Sequence, residues 1–379
     1  MIPAAWRLPA IAALLALASV SPAGRSYVGA AAPSPAAPFS AACLQVQALN
    51  FSSTQISTTL RMWTPRLMNA AEPYSLQGIA LTGGDRRPAD RRSLIPDAGR
   101  SLTTICLPPP PGAAPPLDAD GQPATALSSV AVSPGSQPFA GYPTVGKLFF
   151  KVEGVRSEFC TASVINSYKP PKTGSMLILT AAHCVDGTFM RLPYFDKYFS
   201  FAPGWAHGHD PYGLWGVAKV YVVNKWLECP VPYMDCHTDP IFDYAVMRVA
   251  PLHEMSIASA TGANGWNSKK PKQLHDVQIV GYSENKSVPW RANTNTVTVT
   301  KHNQSFRSGN GRGLGPGSSG GPWFGHLKAH QGAGILVADT GGWEQGGPNS
   351  GNPSYSDFWN IDFAELVHLA AIRECKKCS

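Results

Sequence analysis

A chain of 379 residues exceeds the usual size of one compact domain, which argues for a folded body with appended segments. Hydrophobic residues make up 44% and charged residues only 15%, which suits a globular core and excludes a wholly disordered chain. The net charge of +7 is spread without a long Lys/Arg run, which argues against a nucleic-acid partner.

The first predicted element is a leader. Arg7 supplies a positive residue, residues 8–20 form an apolar run too short to span a bilayer, and Ser21, Ala23 and Gly24 are the small residues a signal peptidase requires. Residues 1–24 therefore read as a cleaved secretory signal. No later stretch is long and apolar enough to cross a membrane, so the expected product is secreted, extracellular and not membrane-inserted. Residues 25–138 are expected to be a pro-segment followed by a Pro-rich linker. In Leu44-Gln45-Val46-Gln47-Ala48-Leu49, apolar and polar side chains alternate at the strand period. The dibasic sites Arg86-Arg87 and Arg91-Arg92 are candidates for processing. Residues 107–138 open with Pro108, Pro109, Pro110 and Pro111 and continue in Gly, Ala, Ser and Asp, too little apolar surface to order such a segment by burial.

From residue 139 the texture changes to short β-rich runs broken by Gly, Pro and Asn, at 145–150, 176–180, 216–223, 245–249, 277–281, 294–300 and 334–338. Regularly spaced short strands with turn signals between them predict an all-β sandwich or barrel. One helix is expected at the end, where Phe363, Leu366, Val367 and Ala370 recur on a single helical face. Eight cysteines, an even number, fit an oxidising compartment. They fall into sequence-local pairs, Cys43 with Cys106, Cys160 with Cys184, Cys229 with Cys236 and Cys375 with Cys378, but sequence alone leaves their connectivity open. Trp215, Trp226 and Trp266 read as packing residues, and His207 with His209 as a solvated loop rather than a metal site.

Three segments carry the chemistry. Leu179-Thr180-Ala181-Ala182-His183-Cys184 follows an apolar strand, Phe242-Asp243-Tyr244-Ala245 opens another, and Gly317-Ser318-Ser319-Gly320-Gly321-Pro322-Trp323 sets a serine in a Gly-rich turn. A serine hydroxyl is a poor nucleophile at neutral pH and needs a base to take its proton as it attacks a carbonyl carbon. Histidine suits that task because its pKa lies near the working pH, and a carboxylate holds the required tautomer. Glycines beside the serine let backbone N–H groups reach a developing oxyanion. The expected roles are His183 as base, Ser319 as nucleophile and Asp243 as orienting carboxylate, with Asp235 and Asp239 as alternatives in the same stretch. Gly317 and Ser319 are the expected oxyanion donors.

These motifs resemble the catalytic signatures of the chymotrypsin-like serine peptidases, whose order is likewise His, Asp, Ser. The resemblance covers about residues 140–370. It implies two six-stranded antiparallel β-barrels, about 139–255 and 270–360, with the site in the cleft between them and a terminal helix over about 361–374. Cys160-Thr161-Ala162-Ser163 is similar to the family strand whose cysteine bridges to the one beside the catalytic histidine, which implies a Cys160–Cys184 disulfide. The run 341–347 and the terminal helix are closest in texture to secreted bacterial V8-like, glutamyl-specific members. Ser318 stands where trypsin-type enzymes carry the Asp of their activation switch. Gly313 and Leu314 fall where the family lines its substrate pocket, with no acid there to demand Arg or Lys, and Arg312, His326 and His330 are candidates to supply positive charge to that pocket. The resemblance thus implies a monomeric endopeptidase acting on polypeptides and needing no cofactor or metal. A silent homologue serving as a binding module and an esterase with the same triad are the alternative functions.

Overall fold

The computed structural model of the chain describes residues 43–74, 100–106, 113–114, 135–152, 154–167, 174–189, 192–228, 237–269, 274–284, 287–299, 306–308, 314–327, 333–347 and 353–372. The expected signal peptide lies outside the described residues, as do Gly313, Arg312 and His330 and most of the expected linker.

In chain order, strand β1 (Cys43–Asn50) leads into helices α1 (Ser53–Met62) and α2 (Pro65–Asn69) and the short strand β2 (Glu72–Pro73). Ser52 starts α1 with a capping box, its hydroxyl accepting from Gln55 N–H while the Gln55 side chain accepts from Ser52 N–H. Three more strands precede the main body: β3 (Arg100–Cys106), β4 (Ala113–Ala114) and β5 (Gly135–Pro138).

The first sheet of the body is built on β6 (Val145–Val152), β7 (Arg156–Ile165) and β8 (Leu177–Thr180). A hairpin of β9 (Asp186–Phe189) and β10 (Leu192–Phe195) follows, then β11 (Lys197–Pro203) and β12 (Trp215–Val223). After a small hairpin, β13 (Leu227–Glu228) with β14 (His237–Thr238), the chain returns as β15 (Ala245–Val249). Hydrogen bonding runs β11-β6-β7-β8-β15-β12, and β12 pairs back to β11 at Gly216 with Ser200. That closes a six-stranded antiparallel barrel. Its strands are buried on both faces, which is why they read as continuous apolar runs such as Leu177-Ile178-Leu179. The interior is aromatic, with Phe149 against Trp205 at 5.3 Å and Phe150 against Phe199 at 5.8 Å between ring centroids. Fully burying a side chain of this kind contributes about 1.5–3 kcal/mol.

Helix α3 (Ile257–Thr261) leads to the second sheet, formed by β16 (Gly265–Asn267), β17 (Leu274–Gly281), β18 (Trp290–Val299), β19 (Phe306–Ser308), β20 (Pro322–Leu327), β21 (Gly334–Asp339) and β22 (Tyr355–Ser356). The described pairings run β22-β19-β18-β17-β20-β21-β16-β4, with β5 added at β18. Among the described residues no pairing closes this path. Helix α4 (Ile361–Ile372) ends the described chain, and Phe363, Leu366, Val367 and Ala370 are buried on it as the spacing predicts. Asn360 starts this helix, accepting from the N–H groups of Asp362 and Phe363.

Strands from before residue 139 join both sheets. β1 adds to β12 with Val46 opposite Val223, β3 adds to β1 with Cys106 opposite Cys43, and β4 and β5 extend the second sheet. Leu44, Val46, Trp63 and Met68 are buried in the same core as the barrel.

Candidate active site

His183 sits on the single helical turn Ala182–Cys184 that follows β8. Asp243 follows another such turn, Pro240–Phe242, whose cap is Asp239, its carboxylate accepting from Ile241 N–H. The register of β8 against β15 sets Thr180 opposite Ala245 and so brings the two turns together. Asp243 Oδ2 lies 2.7 Å from His183 Nδ1, and its Oδ1 accepts the backbone N–H of His183 at 2.9 Å. Oδ2 also accepts from Gly342 N–H at 2.8 Å. Of the three acidic candidates, Asp239 is occupied as a cap, Asp235 is outside the described residues, and Asp243 holds the imidazole. The other ring nitrogen, Nε2, is buried without a hydrogen-bond partner among the described residues.

The carboxylate is fully buried. Two further buried acids, Asp339 and Asp357, lie within its electrostatic reach. Burial pushes the Asp339 carboxyl well above the usual range; the Trp359 indole N–H, which donates to Oδ1 at 2.8 Å, opposes that rise, and the charge of Asp243 adds to it. Asp357 is pushed up by burial first and then by Asp339 and Asp243. Both shifts favour the neutral forms of Asp339 and Asp357. Gly341 makes room for this arrangement: a Cβ there would lie 3.0 Å from Asp243 O and 3.1 Å from its Oδ2.

Ser319 lies on the turn that precedes β20. Thr161 of β7 ties this turn to the barrel. Its N–H donates to Ser319 O at 2.8 Å and its hydroxyl to Gly317 O at 2.9 Å, while Tyr282 N–H donates to that hydroxyl at 2.9 Å. The following residue fixes the approach. Gly320 has φ +75°, and a Cβ on it would stand 2.2 Å from Thr180 Oγ1 and 2.4 Å from Thr161 O. The serine turn therefore abuts the residues that lead into His183. Among the described residues, the N–H groups of Gly317 and Ser319 donate to no acceptor, whereas Ser318, Gly320 and Gly321 bond to Gly315, Thr340 and Ser318.

A disulfide joins Cys160 to Cys184, with Cα atoms 6.3 Å apart, and so anchors the His183 turn to β7. With both sulfurs bonded to each other, the cluster of Cys160, His183 and Cys184 offers no thiolate pair for a metal. Lys147 places its ammonium 3.7 Å over the Phe159 ring, and burial lowers its pKa to about 8. Leu314 is buried, with its carbonyl accepting from the Ser283 hydroxyl. Its pocket partner in the sequence reading, Gly313, is outside the described residues, as is the side chain of His326. His207 and His209 lie exposed on a tight loop, and Trp215, Trp226 and Trp266 are buried packing residues. Sequence reasoning missed Gly342 as a donor to the carboxylate, Thr161 as the tie between sheets, and Tyr74, whose ring stacks on that of His183 with centroids 5.8 Å apart.

No family model and no curated protein matches this sequence. Among solved structures, the protease Anisep from Arthrobacter nicotinovorans is similar at a TM-score of 0.49 and 20% identity, covering 63% of this chain and 100% of that one. A thermostable serine protease, AL20, from an extremophilic microorganism is similar at 0.47 and 19%, covering 61% and 97%. Human heparin binding protein is similar at 0.40 and 14%, covering 62% and 95%.

Proposed function

We propose that this chain is a secreted serine endopeptidase in which Ser319 is the nucleophile, His183 the general base and Asp243 the carboxylate that orients it. The observation that carries this reading is the buried Asp243–His183 pair, bonded at 2.7 Å through Nδ1 while Nε2 has no partner among the described residues. A pair of this kind has one nitrogen committed to the acid and the other available for a proton. The fold agrees with the reading, since the closed antiparallel barrel and second sheet are the chymotrypsin-like architecture that the motifs resemble.

In the proposed reaction, Ser319 Oγ attacks the substrate carbonyl carbon as His183 Nε2 takes its proton. The charge that appears on the carbonyl oxygen is met by the N–H groups of Gly317 and Ser319, neither of which has another acceptor among the described residues. Donors fixed in advance need no reorganisation in the transition state, and one of them contributes on the order of 10²–10³ in rate. His183 then returns the proton to the leaving amine, and water, activated by the same imidazole, releases the acyl group from Ser319. Asp243 holds the Nδ1–H tautomer throughout and stabilises the imidazolium.

Ser319→Ala is expected to remove peptide hydrolysis to background while leaving the unfolding temperature within a few degrees of the parent, since only a small hydroxyl is lost. Peptide cleavage by this variant at a rate near that of the parent would overturn the assignment.

A further inference from the structure

The closed barrel leaves one stretch of strand edge unused. β7 pairs along its length with β6, but β8 reaches only Ser163, Val164 and Ile165 on its other side. The part of β7 that runs up to the Cys160 disulfide is therefore left unpaired by β8, and such an edge takes an added strand. In this chain the added strand comes from far away in sequence. Glu72 and Pro73 pair in parallel with Glu158 and Phe159, and Tyr74 N–H donates to Phe159 O at 2.9 Å.

The strand also covers the site. The Tyr74 ring stacks on the His183 imidazole at an interplanar angle of 22°, and edge-on against Phe150 at 5.6 Å. Tyr74 is 2% exposed and His183 is 1% exposed. Pro73 lies over the oxyanion turn, where a Cβ on Gly317 would come within 3.0 Å of its own Cβ. Three consecutive residues thus occupy the strand edge, the proposed base and the neighbourhood of a proposed oxyanion donor at once. Proline offers no N–H, so along this short strand it is Tyr74 N–H that donates to Phe159 O.

We propose that Glu72–Tyr74 is a built-in occupant of the peptide-binding edge of β7, holding the full chain latent until the segment leaves. The inference rests on the serine peptidase reading above.

The test compares the full chain with Tyr74→Ala and Tyr74→Phe, using two reagents. A fluorophosphonate reports whether Ser319 is an activated nucleophile, and diethylpyrocarbonate, mapped to His183 by mass spectrometry, reports whether the imidazole is covered. When only a small fraction of molecules is open, the apparent rate falls by that fraction. Tyr74→Ala is therefore expected to react about tenfold faster or more at both residues, and Tyr74→Phe, which keeps the ring, to stay near the parent. A parent chain as reactive at His183 as Tyr74→Ala would overturn the cover. Faster modification of His183 in Tyr74→Ala without fluorophosphonate labelling of any form would keep the cover and overturn the catalytic reading beneath it.

Discussion

At Asp243 three hydrogen bonds converge on one buried carboxylate, two from His183 and one from Gly342 N–H. All three partners present a hydrogen to it, so the site is built for an acceptor on both oxygens. Replacing Asp243 by Asn puts an NH₂ group against at least one of those donors and removes the preference for the Nδ1–H tautomer. Asp243→Asn is therefore expected to lower kcat by about 10⁴-fold with little change in KM. Steady-state kinetics on a peptide substrate check this, and a loss under tenfold would show that the carboxylate does not orient the base. The motifs around His183 and Ser319 were legible in the sequence because backbone geometry fixes their immediate neighbours: the glycine at 320, for instance, is required by a φ of +75° and by contacts under 2.5 Å to a Cβ. The choice of Asp243 over Asp239 was less legible, since both stand at turn positions. The contact of Asp243 with His183 follows from the pairing of Thr180 with Ala245, a fact of the tertiary fold. Tyr74 carries no local signature at all, because its partner is a histidine on a turn distant in sequence.

At the level of the strand, β7 bears a second consequence of burial. Glu158 is almost fully buried opposite Glu72, and burial pushes its carboxyl up to about 7, with Arg156 opposing the rise and Glu72 adding to it. The ordinary value is 4.5. Between these two values the folded chain binds a proton that the unfolded chain has released, so stability falls as pH rises from about 4.5 to about 7 and is level above. Glu158→Gln removes that loss. Measured by urea unfolding in a Ser319→Ala background, the variant is expected to match the parent near pH 4 and to exceed it at pH 8 by up to about 3 kcal/mol. A difference that does not change with pH would contradict the assignment. The barrel strands themselves were legible where apolar residues run together, as in 176–180 and 245–249, which form β8 and β15. β20 went unread because it follows directly on the serine motif, whose glycines look like turn rather than strand.

At the scale of the whole molecule, two sheets supply the residues of the proposed triad, the closed barrel giving His183 and Asp243 and the second sheet giving Ser319 at the entry to β20. The all-β class and the terminal helix could be read from periodicity, since short alternating runs and a single apolar helical face are local properties. The joining of β1 and β3 to one sheet and of β4 to the other could not, because the pairing of β1 with β12 and of β4 with β16 is a long-range choice that composition does not encode. A fluorophosphonate tests the central claim most directly, by joining nucleophile and base in one observation, with mass spectrometry locating the adduct. In the Tyr74→Ala chain the account predicts a single adduct on Ser319, lost when His183 is also replaced by Ala. An adduct on another residue, or one on Ser319 that forms equally fast without His183, would contradict it.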